Sequence, residues 1–383
     1  MVPPPPPAEA ERPEPKGRLT SGERYRLQTW FLGILAFATV MVMLVQARFI
    51  LVSLVFAIII FSLTTDAINS IARLKVGSWR ITNWLASVAA FALIAGGLLS
   101  LVGLIVAQVN TVVSTTIAYT DQAVTAIGRM AAFMGPDAEA AVVASIRSVD
   151  LSGWLRTAAG QAGNLVSGAT LVILFVGFLF GERLFFNTKL ENLMGDPVAA
   201  ARIGRIIRSI IRRINHYLIV KTAVSIVTAV AVWVVMVGFG LEFAVAMAIL
   251  TFVLNYLPSV GSIIATIIVA LVAYLQVPEP AFGALILVIV GMIQFILGSV
   301  IDPMLMGRAL RVSAFGIIIS LAFWGFIWGV PGAFLAVPIL VTIMIVCSHI
   351  PSARPVAILI SREGLPEFED DDTPAEPLRR AAE

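Results

Sequence analysis

Residues able to do chemistry are scarce along this chain of 383 residues. His216 and His349 are its only histidines and Cys347 its only cysteine, so an internal disulfide and a multi-cysteine metal site are excluded. There is no Walker A loop, no His-Glu-x-x-His and no Gly-x-Ser-x-Gly, which leaves nucleotide hydrolysis, zinc proteolysis and serine catalysis without a motif. What remains is a handful of polar side chains set in apolar surroundings. Asn255 and Ser259 stand in the run Asn255-Tyr256-Leu257-Pro258-Ser259-Val260-Gly261, Gln294 lies far from either end of the apolar run 281–300, and Asp302 follows that run, just before Pro303. An amide or hydroxyl beside a broken helix can hold a neutral solute or an ion, and a carboxylate there can take a coupling cation or a proton. Each residue also has a structural reading. Asn255 and Ser259 can cap a helix end, Gln294 can tie helices together, and Asp302 can be a helix-end acid in water.

The elements that must position these residues are membrane helices. Hydrophobic residues make up 59% of the chain and charged residues 13%, about half the roughly 25% charged share of a soluble domain. Six apolar runs, 29–47, 49–64, 84–107, 165–181, 217–238 and 281–300, read as full spans. A bilayer crossing takes about 20 helical residues. Two further stretches, 243–275 and 313–347, are overlong. A straight helix of that length would reach about 50 Å, against a hydrocarbon core of about 30 Å. Each is interrupted near its middle, the first at Pro258 and Gly261, the second at Trp328-Gly329-Val330-Pro331-Gly332. Proline removes an amide donor and clashes with the preceding turn, and glycine loosens the backbone beside it. Each stretch is therefore predicted to fold as two half-length helices meeting at a broken tip. Two short full spans per stretch would give the same topology. The fold class is all-α and polytopic, with about six full spans, two broken hairpins and eight apolar segments in all.

Basic residues orient the spans. Arg12, Lys16, Arg18, Arg24 and Arg26 precede the first run; Arg73, Lys75 and Arg80 follow the second; and seven Lys and Arg residues lie in 182–216. Intervening connections carry few, so the positive-inside rule places both termini in the cytoplasm, in an inner membrane. Residues 1–28, with the proline run Pro3 to Pro7, read as a disordered cytoplasmic tail. The charged leader and the long apolar run after Trp30 argue against a cleavable signal peptide. Residues 29–350 form the membrane domain, and 351–383 an acidic cytoplasmic tail. Within the domain, 108–164 reads as an extracytoplasmic amphipathic segment and 182–216 as a cytoplasmic basic one. In the latter, Arg202, Arg205, Arg208 and Arg212 stand opposite a row of isoleucines. The expected role of these arginines is anchoring at anionic headgroups; contact with a neighbouring bundle or with solute is the alternative. Nucleic-acid binding is not needed to explain them.

The second half of the chain resembles the autoinducer-2 exporter family, the PerM-type permeases. The likeness is carried by Asn255-Tyr256-Leu257-Pro258-Ser259-Val260-Gly261, by Asp302-Pro303-Met304-Leu305-Met306-Gly307-Arg308, and by Trp324-Gly325 through Trp328-Gly329-Val330-Pro331-Gly332 and Leu335-Ala336-Val337-Pro338, in order, across roughly 205–347. Ala314 stands where the family often has proline and Ser299 where it often has asparagine. The resemblance implies export of small signalling molecules or metabolites. In some members it implies sodium/proton antiport, and it further implies a homo-oligomer, a pentamer, with one bundle moving rigidly against another.

The leading expectation is a bacterial inner-membrane secondary transporter, not an enzyme. It exports a small polar solute by alternating access around the two broken tips, where half-helix ends offer partial charges near the midplane. Asn255, Ser259, Gln294 and Asp302 would line the pathway. Pro258, Gly261, Pro303, Gly329, Pro331 and Gly332 would shape it. No cofactor is expected beyond a possible coupling ion, H+ or Na+. A sodium/proton antiporter using Asp302 is the first alternative, and a non-transporting scaffold or sensor is the alternative of another class.

Overall fold

The structure is a computed structural model that describes residues 21–72, 88–111, 151–258, 260–306, 311–362 and 364. Ser259, Arg308, most of the tails and most of 108–164 lie outside them. The described residues are helical apart from turns and one isolated bridge, Val312 to Ser361. The chain is an all-α polytopic membrane protein. It divides after Arg48 into two compact units.

The first unit contributes α1, Ser21–Gln46. Its helix begins within the stretch expected to be a disordered tail. No proline or glycine interrupts Glu23 to Leu32, so the apolar helix propagates backwards through Tyr25 and Leu27.

The second unit holds the other helices. These are α2 (Arg48–Ala72), α3 (described over Val88–Thr111), α4 (Leu151–Glu182), α5 (Phe186–Met194) and α6 (Pro197–Gly238). There follow α7 (Ala244–Leu254), α8 (Val260–Gln276), α9 (Pro280–Phe295), a π-helical segment Ile296–Ile301, α10 (Asp302–Met306), α11 (Ala314–Trp328), α12 (Val330–Ser348) and α13 (Arg354–Ile360). Among the described residues two apolar clusters organise them. Ala57, Val172 and Val176 seal α2 against α4, with Phe91 and Phe180 packed on them. Val232 and Met236 of α6, Met247 of α7, Val269 and Ala273 of α8 and Ile286 and Val290 of α9 form the other. This second core clamps the first broken hairpin between α6 and α9.

Helix α6 is continuous for 42 residues, about 63 Å at ~1.5 Å per residue. Asp196 caps it, its carboxylate accepting from the Val198 and Ala199 amides at 2.9 and 3.3 Å, and Pro197 opens the first turn. The expected basic segment and the following span are thus one rod. No glycine or proline falls between Arg205 and Val237 to divide them.

Both overlong stretches break where the sequence predicts. In the first, α7 ends at Leu254 and α8 starts at Val260. Gly261 lies so close to the end of α7 that a Cβ there would overlap the Leu254 carbonyl. In the second, Gly329 takes φ 68° and ψ −145°, a conformation essentially restricted to glycine. A Cβ at Gly332 would overlap the Trp324 carbonyl. The two limbs are bridged deeper down by the buried Ser320 hydroxyl, which donates to the Ala336 carbonyl at 2.8 Å. The limbs are unequal. Helix α12 has 19 residues, long and apolar enough by itself to cross a membrane, whereas α7, α8 and α11 are shorter. The second stretch is therefore one short limb and one full-length limb, because Pro338 is accommodated inside α12 and does not end it.

The C-terminal boundary also moves. Helix α13 packs on α12, Ala357 is fully buried, and the Ser313 amide donates to the Ile360 carbonyl at 2.8 Å. Val356 to Ile360 are apolar, so this part of the expected tail belongs to the folded domain.

Candidate functional site

One face of α6 carries the site. Tyr217, Lys221, Ser225 and Thr228 recur at helical spacing and all four are buried. Buried hydroxyls and an ammonium on a helix this apolar need partners, since an unpaired charge in a low-dielectric interior is costly.

Lys221 finds Asp302. Its Nζ lies 2.7 Å from Asp302 Oδ2, and the side chains are 5% and 12% exposed. Asp302 is thus a buried partner of a lysine and not a helix-end acid in water. It is placed by the π-helical segment, in which the Asp302 amide donates to the Leu297 carbonyl, five residues back. Proline at 303 has no amide to donate, and widened turns of this kind recur at functional sites.

Asn255 joins the same face one turn along, its Nδ2 donating to Ser225 Oγ at 3.1 Å. Its neighbour Tyr256 shares a 2.6 Å hydrogen bond with Thr222 and stacks on Phe334, with ring centroids 4.3 Å apart. Phe334 lies two residues beyond Gly332, so the broken regions of both hairpins touch. Phe56 of α2 also packs on Phe334, with ring centroids 5.4 Å apart, and Ser62 of α2 donates to Asn215 of α6 at 3.0 Å.

Capacity is left over within this cluster. Asp302 Oδ1 and the Tyr217 hydroxyl are buried with no hydrogen-bond partner among the described residues. Tyr217 precedes Lys221 by one turn and lies within electrostatic range of Asp302 and Tyr256. A carboxylate oxygen and a phenol together can accept and donate to a small polar species or hold a proton.

The residues expected from sequence divide into groups. Asn255 and Asp302 are brought to α6, one through Ser225 and one through Lys221. Gly261 and Gly332 are buried at the closures, Pro258 is half-buried, and Gly329, Pro331 and Pro303 are exposed. Gln294 is buried elsewhere, in a groove between α8 and α9. Arg202, Arg205, Arg208 and Arg212 are exposed along the first turns of α6. Glu182 pairs with Lys189 at the surface. Among the described residues no three His, Cys, Asp or Glu side chains gather to hold a metal.

Sequence reasoning missed Lys221, together with Tyr217, Thr222 and Ser225. A signal was present. Lys221 is the single charge inside the run 217–238, and such a residue calls for an opposite charge among the other helices.

The family model for AI-2E family transporters matches residues 32–352. The chain belongs to this family. AI-2E family membership makes it a member of a transport family, and its relatives carry matching names. It is 33% identical over 204 residues to the AI-2 transport protein TqsA of Escherichia coli K12, covering 52% of this chain and 57% of that protein. It is 28% identical over 220 residues to a putative transport protein of Borreliella burgdorferi, covering 56% and 60%. It is 30% identical over 200 residues to one of Haemophilus influenzae, covering 51% and 57%. The chain therefore spans less than two thirds of the length of each of these AI-2E relatives.

Proposed function

We propose that this AI-2E family chain is a secondary transporter exporting a small polar solute or signalling molecule, of the autoinducer-2 kind, across a bacterial inner membrane. Both termini are cytoplasmic and the working form is a homo-oligomer, a pentamer by analogy with the family. Access alternates as the two broken hairpins part at their contact and move relative to α6, one bundle sliding past the other in an elevator-like step. The observation that carries this reading is the meeting of the hairpins at Tyr256 and Phe334, directly over the polar face of α6. Irregular backbone at membrane depth is tolerated where it lines a cavity, and paired broken helices are where transporters hold their solutes.

Efflux of labelled small solutes from proteoliposomes, with and without a proton gradient, tests it. Flux of at least one solute, lost in Pro258 and Gly332 variants, supports the reading. A protein that moves none of them is the scaffold or sensor of the alternative.

A second reading, sodium/proton antiport, is favoured by one observation. Asp302 is buried, ion-paired and has a spare oxygen. Asp302→Asn should abolish sodium-driven proton movement in vesicles, and full retention would remove this reading.

A further inference from the structure

Gln294 has no role in the cluster on α6. It is 5% exposed, and among the described residues neither its Oε1 nor its Nε2 has a hydrogen-bond partner. A buried primary amide with both ends unsatisfied is rare in a folded protein and calls for an explanation.

The side chain lines a groove of about 360 Å³ between α8 and α9 that also takes in Ser262, Thr266 and Ser299, with Ile263 and Phe295 on its walls. Thr266 is already engaged, donating to the Ser262 carbonyl at 2.8 Å. Among the described residues no charged side chain lines the groove. The π-helical turns begin two residues after Gln294, and Ser299 belongs to them. Nothing on α8 or α9 answers the amide.

We propose that this groove binds a small uncharged molecule that presents an acceptor and a donor side by side, an amide or a vicinal diol, on an otherwise apolar body. Along the edge where its N–H and carbonyl lie side by side, a primary amide offers one donor and one acceptor in a plane, and the complement of that edge is another such pair. A charged group would enter a groove without a counter-charge and lose its hydration. The apolar walls cover the remainder of the molecule. This would be the solute class of the transporter proposed above, and that link rests on the transport reading; occupancy of the groove does not.

The test uses the full chain in lipid nanodiscs and tritiated nicotinamide, an amide on a flat apolar ring, with nicotinate as its anionic counterpart. Nicotinamide should bind saturably, nicotinate should compete at least tenfold less well, and Gln294→Leu should weaken nicotinamide by roughly tenfold or more, as expected for losing two hydrogen bonds. Melting of the empty protein separates binding from structure. Gln294→Leu should melt at the same or a higher temperature, because it removes an unsatisfied buried amide. No saturable nicotinamide binding, equal binding by Gln294→Leu, or a lower melting temperature in that variant would overturn the proposal. So would a side chain of a second copy hydrogen-bonded to Gln294 in a density map of the assembled protein. Binding without nicotinamide flux would retain the groove and count against the transport reading, whereas flux that ignores Gln294 would do the reverse.

Discussion

Lys221 and Asp302 are 81 residues apart in sequence and 2.7 Å apart in space. The contact joins the middle of the longest helix to the end of the π-helical segment, and it places one buried charge of each sign in an apolar bundle. Breaking such a pair on one side leaves an uncompensated charge, at a cost of about 3–5 kcal/mol, whereas replacing both partners with apolar groups is often neutral. Lys221→Met alone should therefore lower stability by about that amount. Lys221→Met with Asp302→Leu should recover most of it, as read from thermal melting in nanodiscs. A double variant as unstable as the sum of the singles would show that the pair is not coupled.

The closures at Gly261 and Gly332 admit no side chain without moving a backbone carbonyl. Ala at either position should open the hairpin, costing at least about 1–3 kcal/mol and most of the solute flux. Gly298→Ala is the control, since a Cβ there meets nothing within 4 Å among the described residues. Flux assays on the three variants, with folding followed by size-exclusion profile, check this.

Tyr256 and Phe334 tie the two broken regions together by stacking. A double-mutant cycle with Tyr256→Leu and Phe334→Leu should return a coupling of about 0.5–1.5 kcal/mol. Additive singles would mean that the rings touch without holding the hairpins.

The basic start of α6 should respond to lipid charge. Exchanging Arg202, Arg205, Arg208 and Arg212 for Gln should lower affinity for anionic headgroups by about 1 kcal/mol per residue. Flux in neutral vesicles should be unchanged. Activity compared in vesicles with and without anionic lipid measures it.

Much of this was legible in the sequence because it depends on local chemistry. The length of an apolar run and the presence of Pro258, Gly261, Gly329 and Gly332 suffice to locate both breaks, since helix propagation fails there whatever surrounds it. Asn255 was legible for the same reason. The pairing of Lys221 with Asp302 was not, because two charges so far apart leave no periodic trace. Asp302 beside Pro303 reads as a helix end in water, and only the π-helical turns before it carry the carboxylate inward. The division of α6 into a surface segment and a span followed polarity, whereas the backbone follows the absence of breakers. Tyr256 was visible only as part of a motif, because its partners Thr222 and Phe334 lie on two other helices.

The most direct test asks whether the contact between the two hairpins must open for transport. In a Cys347→Ser background, cysteines introduced by Tyr256→Cys and Phe334→Cys are joined with a short bifunctional thiol reagent carrying a reducible bond, and efflux of the labelled solute panel is followed in proteoliposomes. The expected result is that efflux stops on cross-linking and returns on reduction. Efflux that continues unchanged with the hairpins joined would contradict transport by their movement.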